Sequence, residues 1–442
     1  KRTIMKQEIV TCVGINEDGI SIVQPKIRAF VRLLPGETGT VEFEGKEGRL
    51  TKIDNPSSER IVSKCPVFEQ CGGCTFHHWD MAKQLEFKKM TVKNLFSFVK
   101  APIEEVMACE VDHHYRTKNQ MVVFANKKKQ STLGMYRPFS HQTVAVTSCY
   151  IQDTLTNGVF GHIQMLLRDF KVEPYDEDSK RGIMRHVLIK VGYQTNQVMV
   201  VFVMAEPDFK GRKIMFAKLM EKYPQVKTII IDVNTRSSSA VLSGKQKTYV
   251  GNGYIEDKLL GYTFKISASS FFQVNPRQTE KLYGKAIEYA QLTGNARVLD
   301  VYSGTGTIGI LLSKKAKEVV CVESNRWAIE DAKVNAQLNK INNVKMVLAD
   351  ATEYMIRAAE QGLTFDVVVM DPPRSGATPE FLKALKQLNP KRIVYISCEP
   401  KTQADDVKQL ISDYTVDSIQ PVDMFPYTRH VETVSLLTRK KD

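Results

Sequence analysis

No run of eighteen apolar residues occurs in the chain, so no membrane-spanning helix is expected. The opening residues, KRTIMKQEIV, lack the apolar core of a secretory signal, which predicts a cytoplasmic protein. Residue 1 is lysine rather than methionine, so the numbering is expected to belong to a trimmed chain. Acidic residues are in deficit: 49 Asp and Glu stand against 62 Lys and Arg, and the net charge of +13 makes an anionic polymer the first partner to consider. Repeats and low-complexity tracts are absent. The eight cysteines, at 12, 65, 71, 74, 109, 149, 321 and 398, are too scattered for a disulfide framework. In a large cytosolic chain a group such as Cys65, Cys71 and Cys74 points instead to metal binding or catalysis. At 442 residues the chain exceeds one ordinary core, and two or three domains are expected.

Residues 1 to about 57 carry short alternating or β-branched runs at 9–13, 20–23, 27–31, 38–43 and 49–53, separated by turn residues at 16–19, Pro35-Gly36 and Gly45. Five short strands at this spacing predict a small OB-like β-barrel, a shape that commonly binds oligonucleotides. The phrase LLPGETGTVEF resembles a TRAM domain, an RNA-binding module, and Pro56-Ser57-Ser58 reads as the linker after it.

In CPVFEQCGGCTFHHW three thiolates, Cys65, Cys71 and Cys74, are spaced to converge on one metal centre, with Gly72 and Gly73 letting the backbone wrap tightly. Cys149, after the strand-like run 143–146, is the best fourth ligand. Only one C-x-x-C pair is present, which favours a [4Fe-4S] cluster over zinc, although His77 and His78 keep zinc open and free thiols are the remaining alternative. A helical pattern follows at 79–98. Between about 110 and 270, strand-like segments at 121–124, 187–191, 198–204, 228–233 and 262–267 alternate with helical patterns at 155–170 and 209–222, which predicts a mixed-sheet domain. Arg116, Lys118, Lys127, Lys128, Lys129, Arg137, Arg181 and Arg185 give it a basic character suited to phosphates.

The stretch RVLDVYSGTGTIGI reads as a strand, a glycine-rich turn and a helix start, and Gly304, Gly306 and Gly309 meet the G-x-G-x-x-G pattern. Glu323 ends the next strand, placed to accept hydrogen bonds from a ribose. That pattern serves NAD and S-adenosylmethionine alike; the later strands choose between them. Asp350 ends the third strand, placed to meet an adenine amino group. A D-P-P loop, Asp371 to Pro373, follows the fourth strand, as in methyltransferases acting on nucleobases or amides. Enzymes that methylate exocyclic amines usually carry an aromatic residue next; Arg374 stands there instead, so carbon is the better target. C5 of uracil is too weak a nucleophile to take a methyl directly, but a thiolate adding at C6 activates it. Cys398, after the apolar strand-like run 393–396, supplies the thiol, and Glu432 in RHVETV is the candidate base for the C5 proton.

Taken together, LLPGETGTVEF, CPVFEQCGGC with Cys149, SASSFFQVNPRQ, VLDVYSGTGTIG, VVMDPPRSG, YISCEP and RHVETV resemble the class I RNA uracil-5 methyltransferases, specifically the 23S rRNA enzymes with TRAM and iron–sulfur modules. The resemblance spans essentially the whole chain. It implies cofactor contacts from Gln273, Tyr302, Glu323, Asp350 and Asp371, a cluster on Cys65, Cys71, Cys74 and Cys149, and Phe271 stacking on a flipped uridine. It also implies Cys398 as nucleophile and Glu432 as proton acceptor. Ser303 and Thr307 depart from the Cys and Asn often found in that glycine loop. Family members acting on tRNA generally lack the barrel and the cysteines, which favours 23S rRNA as substrate. The expected architecture is α/β: an OB-like barrel at 1–57, a central RNA-binding domain at 58–275, and a Rossmann-like methyltransferase domain at 276–442, acting as a monomer. Residues near 80–110 are expected to pack on the last of these.

Overall fold

The structure, a computed structural model, describes residues 6–44, 47–236 and 241–440; the turn expected at Gly45 lies outside them. Strands β1 (Lys6–Ile15), β2 (Ser21–Gln24), β3 (Thr38–Glu44) and β4 (Glu47–Ile53) form an antiparallel sheet in the order β2-β1-β3-β4. The expected strand at 27–31 makes no ladder. Pro25, with no N–H to donate, stops the pairing after Gln24. The alternation is used for packing instead: Ile27, Ala29 and Val31 cover Val10, Cys12 and Val41.

Helix α1 (Met81–Leu95) starts at Asp80, whose carboxylate accepts from the Ala82 amide at 2.9 Å. Beyond it, β5 (Lys118–Ala125), β6 (Ser131–Tyr136), β7 (Thr143–Ala145), α2 (Thr154–Asp169), β8 (Met184–Val191), β9 (Val198–Met204), α3 (Arg212–Lys222), β10 (Val226–Val233) and β11 (Gln246–Val250) build the central domain. Its seven strands run in the order β11-β10-β9-β8-β5-β6-β7, and only β9 and β10 are parallel. Every residue of β8 and β9 is buried, because α2 and α3 cover one face while the hairpin β12 (Tyr254–Leu259) and β13 (Tyr262–Ser267) covers the other. That double cover explains the unbroken apolar run VMVVFVM. Arg185, counted above among phosphate-binding residues, belongs to this buried strand. Its Nη1 donates to the carbonyls of Asn234 and Arg236 at 2.8 Å each, and its guanidinium lies over the Tyr175 ring, so it braces the fold rather than facing RNA.

The C-terminal part is α4 (Pro276–Ala290), β14 (Arg297–Val301), α5 (Thr307–Ser313), β15 (Glu318–Glu323), α6 (Arg326–Leu338), β16 (Val344–Leu348), α7 (Ala351–Glu360), β17 (Val367–Met370), α8 (Pro379–Leu388), β18 (Arg392–Ser397), α9 (Pro400–Leu410), β19 (Tyr414–Val422) and β20 (Glu432–Arg439). Its sheet runs β16-β15-β14-β17-β18-β20-β19, with the first five strands parallel and β20 antiparallel to both neighbours. The order reverses between β14 and β17, and such a switch point opens a crevice at the strands' carboxyl ends. Helix α1 joins this part, burying Val92 and Phe96 in its core, and Ile103 and Met107 bridge to Ile419 and Val422 along the edge strand β19. Among the described residues no helix is long and apolar enough to cross a membrane.

Candidate active site

At the end of β14 the chain turns sharply: Tyr302, Gly304 and Gly306 all take left-handed backbone, at φ 64°, 53° and 74°. Only glycine adopts this without strain, so Tyr302 is the costly member of the turn. Helix α5 then lies very close to β15, since a Cβ at Gly309 would stand 2.2 Å from the Cys321 sulfur. The Gly309 amide donates to Asp300 Oδ2 at 2.8 Å. Asp300 is fully buried, and burial, with Asp371 and Glu323 nearby, pushes its carboxyl up to about 7. Sequence reasoning passed over Asp300, although a lone acid inside the apolar run VLDV was a usable signal. Glu323 is held at the tip of β15 by the Gly304 amide at 3.1 Å and the Asn325 amide at 2.7 Å.

Above the turn is a cavity of about 420 Å³ that brings together Phe271, Gln273, Tyr283, Tyr302, Gly304 and Asp371. A Cβ on Gly304 would meet nothing within 4 Å, so the loop opens upward into this space. Asp371 is driven up to about 7 by burial. Asp350 is not part of the lining: it is exposed and caps α7, accepting from the Glu353 amide at 3.1 Å. Phe271, 63% exposed, projects at the mouth. Its loop is clamped by Lys190 of β8, a buried ammonium that donates to the carbonyls of Ser267 at 2.7 Å and Ser270 at 2.8 Å. Nothing in the sequence linked Lys190 to that loop, because the contact joins strands 77 residues apart.

Cys398 follows β18 directly, and the ladder explains why Glu432 is its neighbour. Ser397 pairs with Thr433, so the next antiparallel step sets Cys398 opposite Glu432. Cys398 is half-buried while Glu432 is 3% exposed. Burial and the nearby Asp371 push Glu432 up to about 8; burial, Glu432 and Asp371 also raise the Cys398 thiol, against the charge of nearby Arg374, which lowers it. Arg374, noted in the sequence only as a departure, is therefore the cation of the site. Buried Gln403 ties the two strands beside the pair, donating to Tyr395 O at 2.8 Å and accepting from Thr433 Oγ1 at 2.7 Å. Asp406 fixes the D-P-P-R loop through the Ala377 amide at 2.8 Å and is itself held by the Tyr395 hydroxyl at 2.6 Å. The site thus sets a thiol, a high-affinity carboxyl and a guanidinium beside a cavity whose mouth carries an exposed ring.

Matching the whole chain to protein families gives the tRNA (Uracil-5-)-methyltransferase model over residues 80–440. The chain belongs to that family. It is 41% identical to an RNA methyltransferase of Staphylococcus aureus strain MRSA252, over 99% of this chain and all of the relative. A second relative, an RNA methyltransferase of Caldanaerobacter subterraneus subsp. tengcongensis, is 39% identical over 97% of each chain. Among solved structures, the Pyrococcus abyssi tRNA (uracil-54, C5)-methyltransferase bound to S-adenosyl-L-homocysteine matches with a TM-score of 0.80 and 28% identity, over 97% of this chain and 99% of that one. This family membership agrees with the uracil-5 chemistry and the Rossmann-like fold expected from the motifs.

The four cysteines expected to bind a cluster are free thiols in one neighbourhood. Cys74 feels Cys149, Cys71 and Cys65, and burial together with these neighbours raises it well above the usual thiol range. Arg32 braces the loop by donating to the carbonyls of Cys71 at 2.9 Å and Cys74 at 3.0 Å. Among the described residues no group of three or more His, Cys, Asp or Glu side chains is arranged to hold a metal ion. His77 and His78, which kept zinc open, are engaged in ring packing instead: His77 stacks on Tyr427 and His78 tilts against Phe68.

Proposed function

We propose that this protein transfers a methyl group from S-adenosylmethionine to C5 of a uridine in 23S rRNA. The observation that carries the reading is the placement of Cys398 opposite Glu432 beside the cavity at the β14–β17 switch point. The cavity suits the cofactor in its lining: Glu323 stands fixed for a ribose at the tip of β15, and Gln273, Tyr302 and Asp371 line the space beside it. When bound there, S-adenosylmethionine supplies an electrophilic methyl group.

The chain's own residues do the rest. Phe271 stacks on the extruded uracil ring, which must leave its helix to reach the thiol. The Cys398 sulfur adds to C6, and the electron pair of the C5–C6 bond passes to the ring as an enolate, supported by the Arg374 charge. After C5 has been alkylated, with S-adenosylhomocysteine as the leaving group, Glu432 takes the C5 proton, the C5–C6 double bond re-forms and the sulfur leaves as thiolate. A base contributes about 10²- to 10⁴-fold when its proton affinity lies near the working pH, and a carboxyl raised to about 8 is placed for that task.

The β-rich segment to about residue 57 and the basic central domain to about 275 are assigned to gripping RNA in the cytoplasm, and Cys65, Cys71, Cys74 and Cys149 to a [4Fe-4S] cluster. What supports the cluster is the donor set, four thiols in one neighbourhood with Arg32 holding the Cys71 and Cys74 carbonyls; each thiolate of a cubane binds its own iron, so the sulfurs are not required to meet around a single point. Iron and acid-labile sulfide in anaerobically purified protein test it. A second reading, tRNA as substrate, has its own support: the match to the Pyrococcus tRNA enzyme spans 97% of this chain, so the N-terminal strands do not by themselves favour rRNA. Methyl transfer to 23S rRNA and tRNA transcripts in parallel separates the two. Cys398→Ala should abolish transfer, and Glu432→Gln should leave a covalent protein–RNA adduct; normal turnover by Glu432→Gln with no adduct would remove the base assignment.

A further inference from the structure

We propose that Tyr427 is a positioning residue for Glu432, one that ties the catalytic carboxylate to the cysteine-bearing segment. The inference rests on the covalent mechanism above and adds a group that mechanism does not use.

Glu432 opens β20, and the loop 423–431 leads into it from β19. Tyr427 is the pivot of that loop. It holds left-handed backbone, φ 66°, without being glycine, a conformation that persists only where the surroundings over-determine it. They do. The amides of Thr75 and Phe76, immediately after Cys74, both donate to the Tyr427 carbonyl at 2.9 Å. The Tyr427 amide donates to Gln84 Oε1 at 3.1 Å, and its hydroxyl donates to Asp112. Its ring stacks on His77 with centroids 4.0 Å apart and planes 6° from parallel. Cys74 and Cys149 pack against the same cluster of Tyr115, Ile151 and Tyr427. The loop beyond is stiff as well, with the Thr428 hydroxyl donating to Phe425 O at 2.8 Å. A shift of the 74–77 backbone therefore moves Tyr427 and, five residues on, the carboxylate that must reach the C5 proton. A misplacement of about 1 Å costs roughly a hundredfold in such a step.

The readout is the adduct, since a misplaced base stalls resolution while leaving thiol addition intact. Full-length protein is incubated with S-adenosylmethionine and 23S rRNA and tRNA transcripts, and covalent complexes are resolved on denaturing gels. Tyr427→Ala and Cys74→Ser should accumulate adduct and lose roughly a hundredfold in turnover, with S-adenosylhomocysteine affinity unchanged. Tyr427→Phe, which keeps the ring stack, should stay near wild type. Loss of turnover in Tyr427→Ala without adduct, or unchanged turnover, overturns the inference. If Tyr427→Ala does not fold, His77→Leu, which removes the ring stack on Tyr427, must raise the adduct fraction, and no rise overturns it too. Glu432→Gln runs alongside: adduct there with none in the Tyr427 and Cys74 variants sinks this inference alone, whereas no adduct in Glu432→Gln sinks the mechanism beneath it.

Discussion

Lys88 and Asp423, separated by 335 residues, form an ion pair of 2.5 Å with both side chains almost wholly removed from solvent, and the same ammonium donates to the Phe425 carbonyl at 3.1 Å. The pair fastens α1 to the loop that precedes Glu432. Removing one partner strands the other charge in a dry site, and such losses cost about 3–5 kcal/mol. Lys88→Ala should therefore lower denaturant stability by that amount, while Lys88→Met with Asp423→Leu should cost much less. Urea titrations of the single and double variants check this; equal losses in both would mean that the packing, not the charge, does the holding.

Three carboxyls at the site bind protons more tightly than ordinary ones: Asp300 and Asp371 at about 7 and Glu432 at about 8. In the unfolded chain such groups titrate at about 4. A raised value in the folded state favours folding at low pH, and that contribution drains away as pH climbs from about 4 through 8. Glu432→Gln cannot ionise, so its melting temperature relative to the unaltered protein should rise between pH 5 and pH 8 and level off above that in thermal scans of the free enzyme. A constant difference across that range would show that Glu432 is not held protonated in the fold. Activity should move the opposite way, increasing toward pH 8 as the base becomes able to accept a proton.

The parallel half of the catalytic sheet was open to reading because strands covered on both faces are continuous apolar runs ended by glycine, aspartate or cysteine, and ligands collect at those ends. Tyr302, Gly304 and Asp371 gather around one cavity for that reason. What escaped was register and long-range contact. That Glu432 stands opposite Cys398 depends on β20 entering antiparallel beside β18, which no local pattern encodes. Lys190, Gln403 and Tyr427 each act on partners that no local motif links to them, so they read as ordinary strand, helix and loop residues. The run at 27–31 misled for the converse reason: alternation reports one buried face, and an extended covering segment satisfies it as well as a strand does.

Arg374 offers the most direct probe of the reactive sulfur. Its guanidinium charge lies near Cys398 and Glu432, lowering the proton affinity of both against the upward push of burial. Because Arg374 is exposed, solvent screening holds its effect to that of a surface charge pair, about 1 kcal/mol or roughly fivefold in thiolate population. Arg374→Gln should thus carry the pH midpoint of Cys398 alkylation upward and slow adduct formation about fivefold at neutral pH, while Arg374→Lys, which keeps charge but not the planar fork, should fall between. Rates of iodoacetamide labelling at Cys398, followed by peptide mass spectrometry across pH, give the midpoint directly. A midpoint that does not move would leave the sulfur to be activated by the substrate alone, with Arg374 acting on the RNA backbone instead.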